Sequence, residues 1–282
     1  MVEMRMQEIG SDGSKHGKTY RDLLRGVLPD DIVSRLPRSF DLVGDIALIK
    51  LPEDLIPYGP QVSEAIMKIH RNVRSVYARR RVSGVFRIHE LIHIGGVDIS
   101  ETVYTENGVR FYVDVKKMFV NPRMATERLR IAGIIDEGSS VLDLFSGYGG
   151  FSLNIARLKN AYVVAVDLNS HAMEALKRSI GMNKLKGVVD PICGEALTIM
   201  KGLREDFFDV IILDNPTEVL KYVDAGMRLL KRGGRAFIYT LSEDESILRK
   251  RLSELEIDVI ECFSVREYSP DLSIFRCNAI KR

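Results

Sequence analysis

From Pro122 onward the chain repeats one pattern: a short apolar run, a segment with helical spacing, and another apolar run roughly 20 to 30 residues after the first. The runs are VLDLF (141–145), YVVAVD (162–167), VVDPI (188–192), DVIILD (209–214) and RAFIYT (235–240), with helical stretches such as SHAMEALKRSIGMNK (170–184) between them. A strand exposed on one face alternates apolar with polar, whereas a continuous apolar strand is covered on both faces. Strands of that kind alternating with helices predict a parallel sheet between two helical layers. Two further runs, DVIECFSV (258–265) and SIFRCNAI (273–280), are separated by only seven residues, too few for a crossover helix, so they pair antiparallel.

The expected fold is therefore α/β: a doubly wound, Rossmann-like sheet of five parallel strands ending in an antiparallel hairpin, the layout of the class I methyltransferase domain. Upstream the pattern differs. Helical spacing from Tyr20 to Leu28 stops at Pro29, and a second short helix around Ile32 to Leu36 stops before Pro37. DLVGDIALIKL (41–51), SVYARR (75–80), VFRIHELIHI (85–94) and VRFYVDV (109–115) read as strands, with helical VSEAIMKIH (62–70) among them. Three segments follow: a polar, glycine-bearing tail over 1–19, a smaller α+β domain over 20–118, and the sheet domain over 119–282.

In a doubly wound sheet the ligand lies beyond the carboxyl ends of the strands, where the first strand turns into the first helix. Here that turn is Phe145-Ser146-Gly147-Tyr148-Gly149-Gly150, whose glycines let backbone approach a nucleotide. A dinucleotide fingerprint needs GxGxxG, but Ser152 stands three places after Gly149, and Asp143 lies inside the strand before the turn. An acid there suits the ammonium of a methionine moiety, which points to S-adenosylmethionine. Asp167, with Leu168 beside it, ends the second strand and suits the ribose hydroxyls; Glu195, backed by Ala196, follows the third strand and suits the adenine amino group. Asp214, Asn215 and Pro216 follow the fourth strand, on the sulfonium side of the same pocket.

The turn Asp214-Asn215-Pro216 resembles the motif with which amino- and ring-nitrogen methyltransferases hold a planar nitrogen. MFVNPRMATERLRIAGII (118–135), together with LPRSFDLVGDIALIKLP (36–52), SGVFRIHELIHIGG (83–96) and TVYTENGVRFYVDV (102–115), resembles the archaeal and eukaryotic tRNA (guanine-37-N1)-methyltransferases. The resemblance covers about residues 20–282 and implies a methyl transfer from S-adenosylmethionine to N1 of guanosine at tRNA position 37. It also implies roles. Glu127 would be the general base for the N1 proton, Arg87 the cation steadying charge on O6, Arg128 a contact to the cofactor, and Phe119 an aromatic near the target base. Where this family has N-L-P the chain has D-N-P, so an alternative target is a tricyclic wyosine precursor at position 37. The related aminocarboxypropyl transferase and a non-catalytic tRNA-binding module are further alternatives. The N-terminal part reads as too short for the extra tRNA-binding domain of many relatives.

Between residues 61 and 90 seven basic residues face two acidic ones, and Arg79, Arg80 and Arg81 sit together, which suits a phosphate-binding face toward the tRNA anticodon region. His89-Glu90-Leu91-Ile92-His93 matches a zinc-protease signature, but that motif needs a helix; in a strand residues four apart lie about 13 Å apart and cannot share a metal. No metal is expected. Cys193, Cys262 and Cys277 lack CxxC spacing and read as three core thiols. With no long apolar run and no apolar leader, the expectation is a cytoplasmic protein without a membrane partner.

Overall fold

The computed structural model describes residues 18–84, 86–253, 258–269 and 271–282; the expected N-terminal tail falls outside them up to residue 17. The N-terminal unit begins with α1 (Tyr20–Leu24), whose first turn is closed by a reciprocal capping box between Thr19 and Asp22. Helix α2 (Asp30–Arg35) ends before Pro37, as its spacing predicts. The run 41–51 is two strands rather than one: β1 (Asp41–Val43) and β2 (Ile46–Ile49) are antiparallel, folded back at Gly44, whose φ of 59° lies where a side chain is strained. Then come α3 (Gly59–Ile69), β3 (Ser75–Ser83) and β4 (Ile88–Gly96), completing a four-stranded sheet in the order β1-β2-β3-β4. Strand β4 starts three residues later than its apolar run predicts. Residues Phe86 and Arg87 belong to the turn that leads into it, and Val85 lies outside the described residues.

A hairpin of β5 (Glu101–Glu106) and β6 (Val109–Asp114) follows, turning at Asn107-Gly108, both with positive φ. Only its second strand is expected from sequence; the first, GluThrValTyrThrGlu, alternates exposed and buried and is short of apolar residues. After it come α4 (Ala125–Ile134), β7 (Ser140–Asp143), α5 (Gly150–Leu158), β8 (Tyr162–Asp167), α6 (Ser170–Gly181), β9 (Val188–Cys193), α7 (Ala196–Gly202), β10 (Phe208–Asp214), α8 (Leu220–Leu229), β11 (Leu230–Ser242), α9 (Glu245–Ser253), β12 (Asp258–Ser269) and β13 (Leu272–Ile280). The large sheet has the order β12-β13-β11-β10-β7-β8-β9. Its five expected strands are parallel, and β13 slots between β11 and β12, antiparallel to each.

One apolar cluster joins the two halves. Val43, Ile46 and Tyr77 of the N-terminal sheet, Phe111 and Val113 of the hairpin, and Ile131, Tyr148 and Val163 of the sheet domain are all buried in it. The β5–β6 hairpin is bound to α6 and the turn after it by polar contacts as well: Tyr112 N donates to Ser179 Oγ, and Arg110 N to Asn183 Oδ1, each at 2.9 Å. The pairing of β12 with β13 also corrects the cysteine reading. It sets Cys262 opposite Cys277, and the two form a disulfide, while Cys193 at the end of β9 is exposed. Residues distant in sequence become direct neighbours across an antiparallel ladder, which spacing rules cannot register.

Candidate functional site

A cavity of about 280 Å³ opens at the carboxyl ends of β7, β8 and β10, the switch point of the doubly wound sheet. Arg87, Phe119, Arg128, Phe145, Gly147, Tyr148, Asp167, Leu168, Glu195, Ala196, Asp214, Asn215 and Pro216 line it. Thus the residues expected at four separate strand ends, the segment that precedes the first of them, and Arg87 of the N-terminal unit meet at one place. Glu127, Asp143, Gly149, Arg79, Arg80 and Arg81 do not line it.

The turn after β7 is bare toward the cavity. Gly147 has φ 54°, and a Cβ built there would touch nothing within 4 Å. Gly149, with φ 91°, has the opposite reason to be glycine: a Cβ would lie 2.3 Å from Leu176. Beneath the turn Asp143 is completely buried. Its Oδ2 accepts from Ser152 Oγ at 2.6 Å, but Oδ1 has no hydrogen-bond partner among the described residues. Burial, helped by nearby Asp214 and Asp167, pushes its carboxyl up to about 7. An orphaned buried carboxylate oxygen under exposed glycine backbone is what a cationic nucleoside ligand would satisfy.

Asp167 accepts from Gly147 N and Asn169 N, each at 2.8 Å, so it fixes the glycine turn while still lining the cavity. Burial raises its carboxyl above the usual range against those bonds. Glu195 is the N-cap of α7: its two oxygens accept from Leu197 N, Thr198 N and the Thr198 hydroxyl. Those bonds outweigh desolvation and hold its carboxyl below the usual range. Phe145 and Tyr222 form an edge-to-face pair, ring centroids 4.8 Å apart, along one wall. Arg128 is buried and ion-paired to Glu106 at 2.6 Å; the hairpin, missed in part by the sequence reading, thus supplies the acid that fixes a cavity arginine.

On the opposite side Arg87 reaches across from the N-terminal unit. Its Nη1 lies 2.6 Å from Thr217 Oγ1 and 3.5 Å from Asn215 Oδ1. Arg87 has φ 52°, unusual for a non-glycine residue and costing about 1 kcal/mol or more, which marks a side chain aimed by its surroundings. Asn215 does not cap α8, which begins at Leu220 without a side-chain cap. Phe119 lies at the rim against His89, centroids 5.3 Å apart. That histidine is in β4, so the HELIH run is strand, as its neighbours predict.

The two acids nearest the target side differ. Glu127 is buried in α4, and its Oε1 accepts from Tyr239 Oη at 2.8 Å and Arg276 Nη1 at 2.7 Å, while Arg130 Nε approaches its Oε2 at 3.1 Å. Asp214 lines the cavity and has no side-chain hydrogen bond among the described residues; burial pushes its carboxyl up to about 6 despite Arg128 and Arg87. Polar residues not singled out from sequence also border the cavity, among them Asn121, Asn169, Glu218 and Arg266. Arg266 Nη1 donates to Asn121 Oδ1 at 3.1 Å, beside an Asp41 whose oxygens already serve Arg79 and Arg123. Of the basic trio, Arg79 is therefore neutralised by Asp41, Arg80 is paired with Glu53, and Arg81 is 83% exposed near Glu90.

Comparison with known proteins agrees with this geometry. Residues 102–264 match the TRM5/TYW2 methyltransferase domain, and residues 20–99 match the TYW2 N-terminal domain. The chain belongs to the TRM5/TYW2 methyltransferase family. Among family members it is 33% identical over 280 residues to the tRNA (guanine(37)-N(1))-methyltransferase Trm5b of Pyrococcus abyssi, covering 96% of this chain and 81% of that one. The crystal structure of Trm5b from that organism superposes with a TM-score of 0.82 at 30% identity, covering 99% of this chain and 84% of the other. At 30% identity the chain also resembles the tRNA(Phe) (4-demethylwyosine(37)-C(7)) aminocarboxypropyltransferase of Pyrococcus horikoshii, over 91% of this chain and 96% of that one. The family models meet between residues 99 and 102, before the β5–β6 hairpin. Among the described residues no helix is long and apolar enough to cross a membrane, and no three His, Cys, Asp or Glu side chains cluster as a metal site.

Proposed function

We propose that this protein is an S-adenosylmethionine-dependent tRNA methyltransferase that methylates N1 of guanosine at position 37, beside the anticodon. It works in the cytoplasm with its tRNA. The observation that carries this reading is Arg87 meeting the Asn215-Pro216-Thr217 turn at the mouth of a glycine-walled cavity. A cation for O6 thereby stands against the strand end where a methyl acceptor would lie. Matches to guanine-37 enzymes at 33% and 30% identity support the same target.

S-adenosylmethionine fits the residues present and supplies an electrophilic methyl on sulfur. Gly147 and Tyr148 would hold its backbone-facing side, Asp167 its ribose, Leu168, Glu195 and Ala196 its adenine, and Arg128 its methionine end, with Asp143 buried beneath the turn. On the acceptor side Arg87 polarises O6 and Phe119 offers an aromatic face to the extruded base. Arg81 and Arg266 contact phosphates, and the N-terminal unit, residues 20–118 with its hairpin docked on α6, presents the tRNA to the cavity.

Labelled donor and tRNA carrying guanosine or adenosine at position 37 test the reading; equal incorporation into both refutes it. Asp214 in place of asparagine supports a second reading, a 4-demethylwyosine nucleoside at position 37, the target named for a 31% identical relative from Saccharolobus solfataricus. Mass spectrometry of the product nucleoside separates the two. The spent donor excludes or identifies aminocarboxypropyl transfer, which leaves methylthioadenosine rather than S-adenosylhomocysteine.

A further inference from the structure

We infer that Phe86 and Tyr268, two aromatic rings exposed at the cavity mouth, cover the bases on either side of the extruded nucleotide, one ring for each neighbour. The inference rests on the proposed action at tRNA position 37 and extends it to the bases that flank the target.

Five aromatic side chains are exposed among the described residues, and three of them, Phe86, Phe119 and Tyr268, line this one cavity. They arrive from three distant segments: the turn before β4, the stretch between β6 and α4, and the end of β12. Single apolar residues scattered over a surface need no explanation, but rings converging on one opening mark a contact surface. Phe119 faces the target base in the reading above. Phe86 is 45% and Tyr268 49% exposed, so about half of each side chain is left for a partner.

Backbone devices present both rings. Arg87 N donates to Gly84 O at 3.1 Å, closing a turn whose two end residues both have positive φ, and the Arg87 side chain is tied to Thr217. Phe86 therefore stands in a braced turn rather than on a loose loop. Tyr268 is the extra residue of a β-bulge: Glu267 pairs with Ser273 and Ser269 with Leu272, which leaves Tyr268 no partner of its own on β13. Bulges of this kind re-aim a side chain beside a functional site.

The charge between the rings selects a polynucleotide as the partner. Arg87 and Arg266 line the same mouth, and Arg123 stands close to Arg266. Arginines interleaved with exposed rings are the means by which single-stranded RNA is held, phosphates on the cations and bases on the ring faces. A nucleotide that enters the cavity leaves each of its neighbours with one bare face, and a ring at the mouth covers that face and offsets the stacking lost on extrusion. Every base has such a face, so these contacts set the register of the strand without reading positions 36 and 38.

The test measures, by fluorescence anisotropy, the affinity of wild type, Phe86→Ala, Phe86→Tyr, Tyr268→Ala and Tyr268→Phe for guanosine-37 tRNA. The same proteins are titrated with that tRNA carrying an abasic nucleotide at position 36 or at position 38. On intact tRNA each alanine variant should bind about tenfold more weakly, and each aromatic replacement within about twofold of wild type. On tRNA lacking the base that its ring covers, an alanine variant should bind as wild type does, with one neighbour assigned to Phe86 and the other to Tyr268. Each comparison sets two RNAs against one protein, so a general defect in folding cannot imitate it. Losses that persist on both abasic tRNAs, losses that vanish at the same position for both rings, or alanine variants that bind intact tRNA like wild type overturn the assignment. A wild-type protein that binds this tRNA but methylates none of its guanosine is a different failure, that of the proposed target.

Discussion

Arg87 Nη1 and Thr217 Oγ1 are 2.6 Å apart, and this bond ties the N-terminal unit to the strand end of the sheet domain at the cavity mouth. Two units joined by one apolar cluster share an edge of the cavity there. Arg87→Ala should lower kcat/KM for tRNA about a hundredfold through loss of the charge on O6. Thr217→Val, which removes only the tether, should cost less than about tenfold. Steady-state kinetics with guanosine-37 tRNA read both; equal losses would make the tether, not the cation, the important element.

Asp143 should make the protein's stability depend on pH in an unusual direction. An unfolded aspartate ionises near 3.9, whereas burial holds the folded carboxyl up to about 7. The folded form therefore binds more protons across that window. Stability is lost as pH rises from about 4 to about 7 and stays lost above. Asp143→Asn should melt higher than wild type at pH 8, by up to ~4 kcal/mol in unfolding free energy, with the gap closing toward pH 4. The same variant should bind the donor more weakly. Calorimetric melting at both pH values, with titration of the donor, checks the pair of effects; a variant that melts lower at pH 8 contradicts the sign.

Arg266 stands at the cavity rim, where burial and the charges of Arg123 and Arg79 make it easier to deprotonate than an isolated arginine. A phosphate would relieve that repulsion. Arg266→Ala should weaken tRNA binding evenly across sequences and reduce the slope of log affinity against log salt by about 0.7 to 0.9, the share of one phosphate contact. Fluorescence anisotropy between about 50 and 200 mM salt measures it, and an unchanged slope would remove Arg266 from the RNA face.

Reduction of Cys262–Cys277 should destabilise the sheet edge. A cross-link enclosing 15 residues contributes about 3 kcal/mol in the chain-entropy account. Urea unfolding with and without reductant should differ by that order in the wild type and not at all in Cys262→Ser/Cys277→Ser. Equal midpoints for oxidised and reduced wild type would show that the ladder, not the bond, holds the edge.

The sheet domain was legible because its signals are local: every parallel strand is an apolar run, and the acids that mark the cavity, Asp143, Asp167 and Asp214, sit in or at the ends of those runs. What stayed hidden depends on contacts between distant segments. Strand β5 is half exposed and carries its apolar residues singly, so it shows only when it pairs with β6. The placement of β13 between β11 and β12 pairs Cys262 with Cys277 and brings Arg276 to Glu127, 149 positions away. No spacing rule predicts either. For the same reason Glu127 could be located on a helix from sequence, but whether its carboxylate faced the cavity or a buried arginine could not.

The pairing of Glu127 with Arg276 has a consequence for how the molecule is made. Helix α4 leaves the ribosome long before β13, so a nascent chain carries the Glu127 carboxylate toward an interior that still lacks its countercharge. Closure of the cavity wall therefore waits for the strand that enters the sheet last. A chain interrupted before Leu272 would retain all five parallel strands and the glycine turn, yet leave this acid with only Tyr239 and Arg130 for company. Translation itself thus keeps the site from being completed until nearly the whole sheet exists.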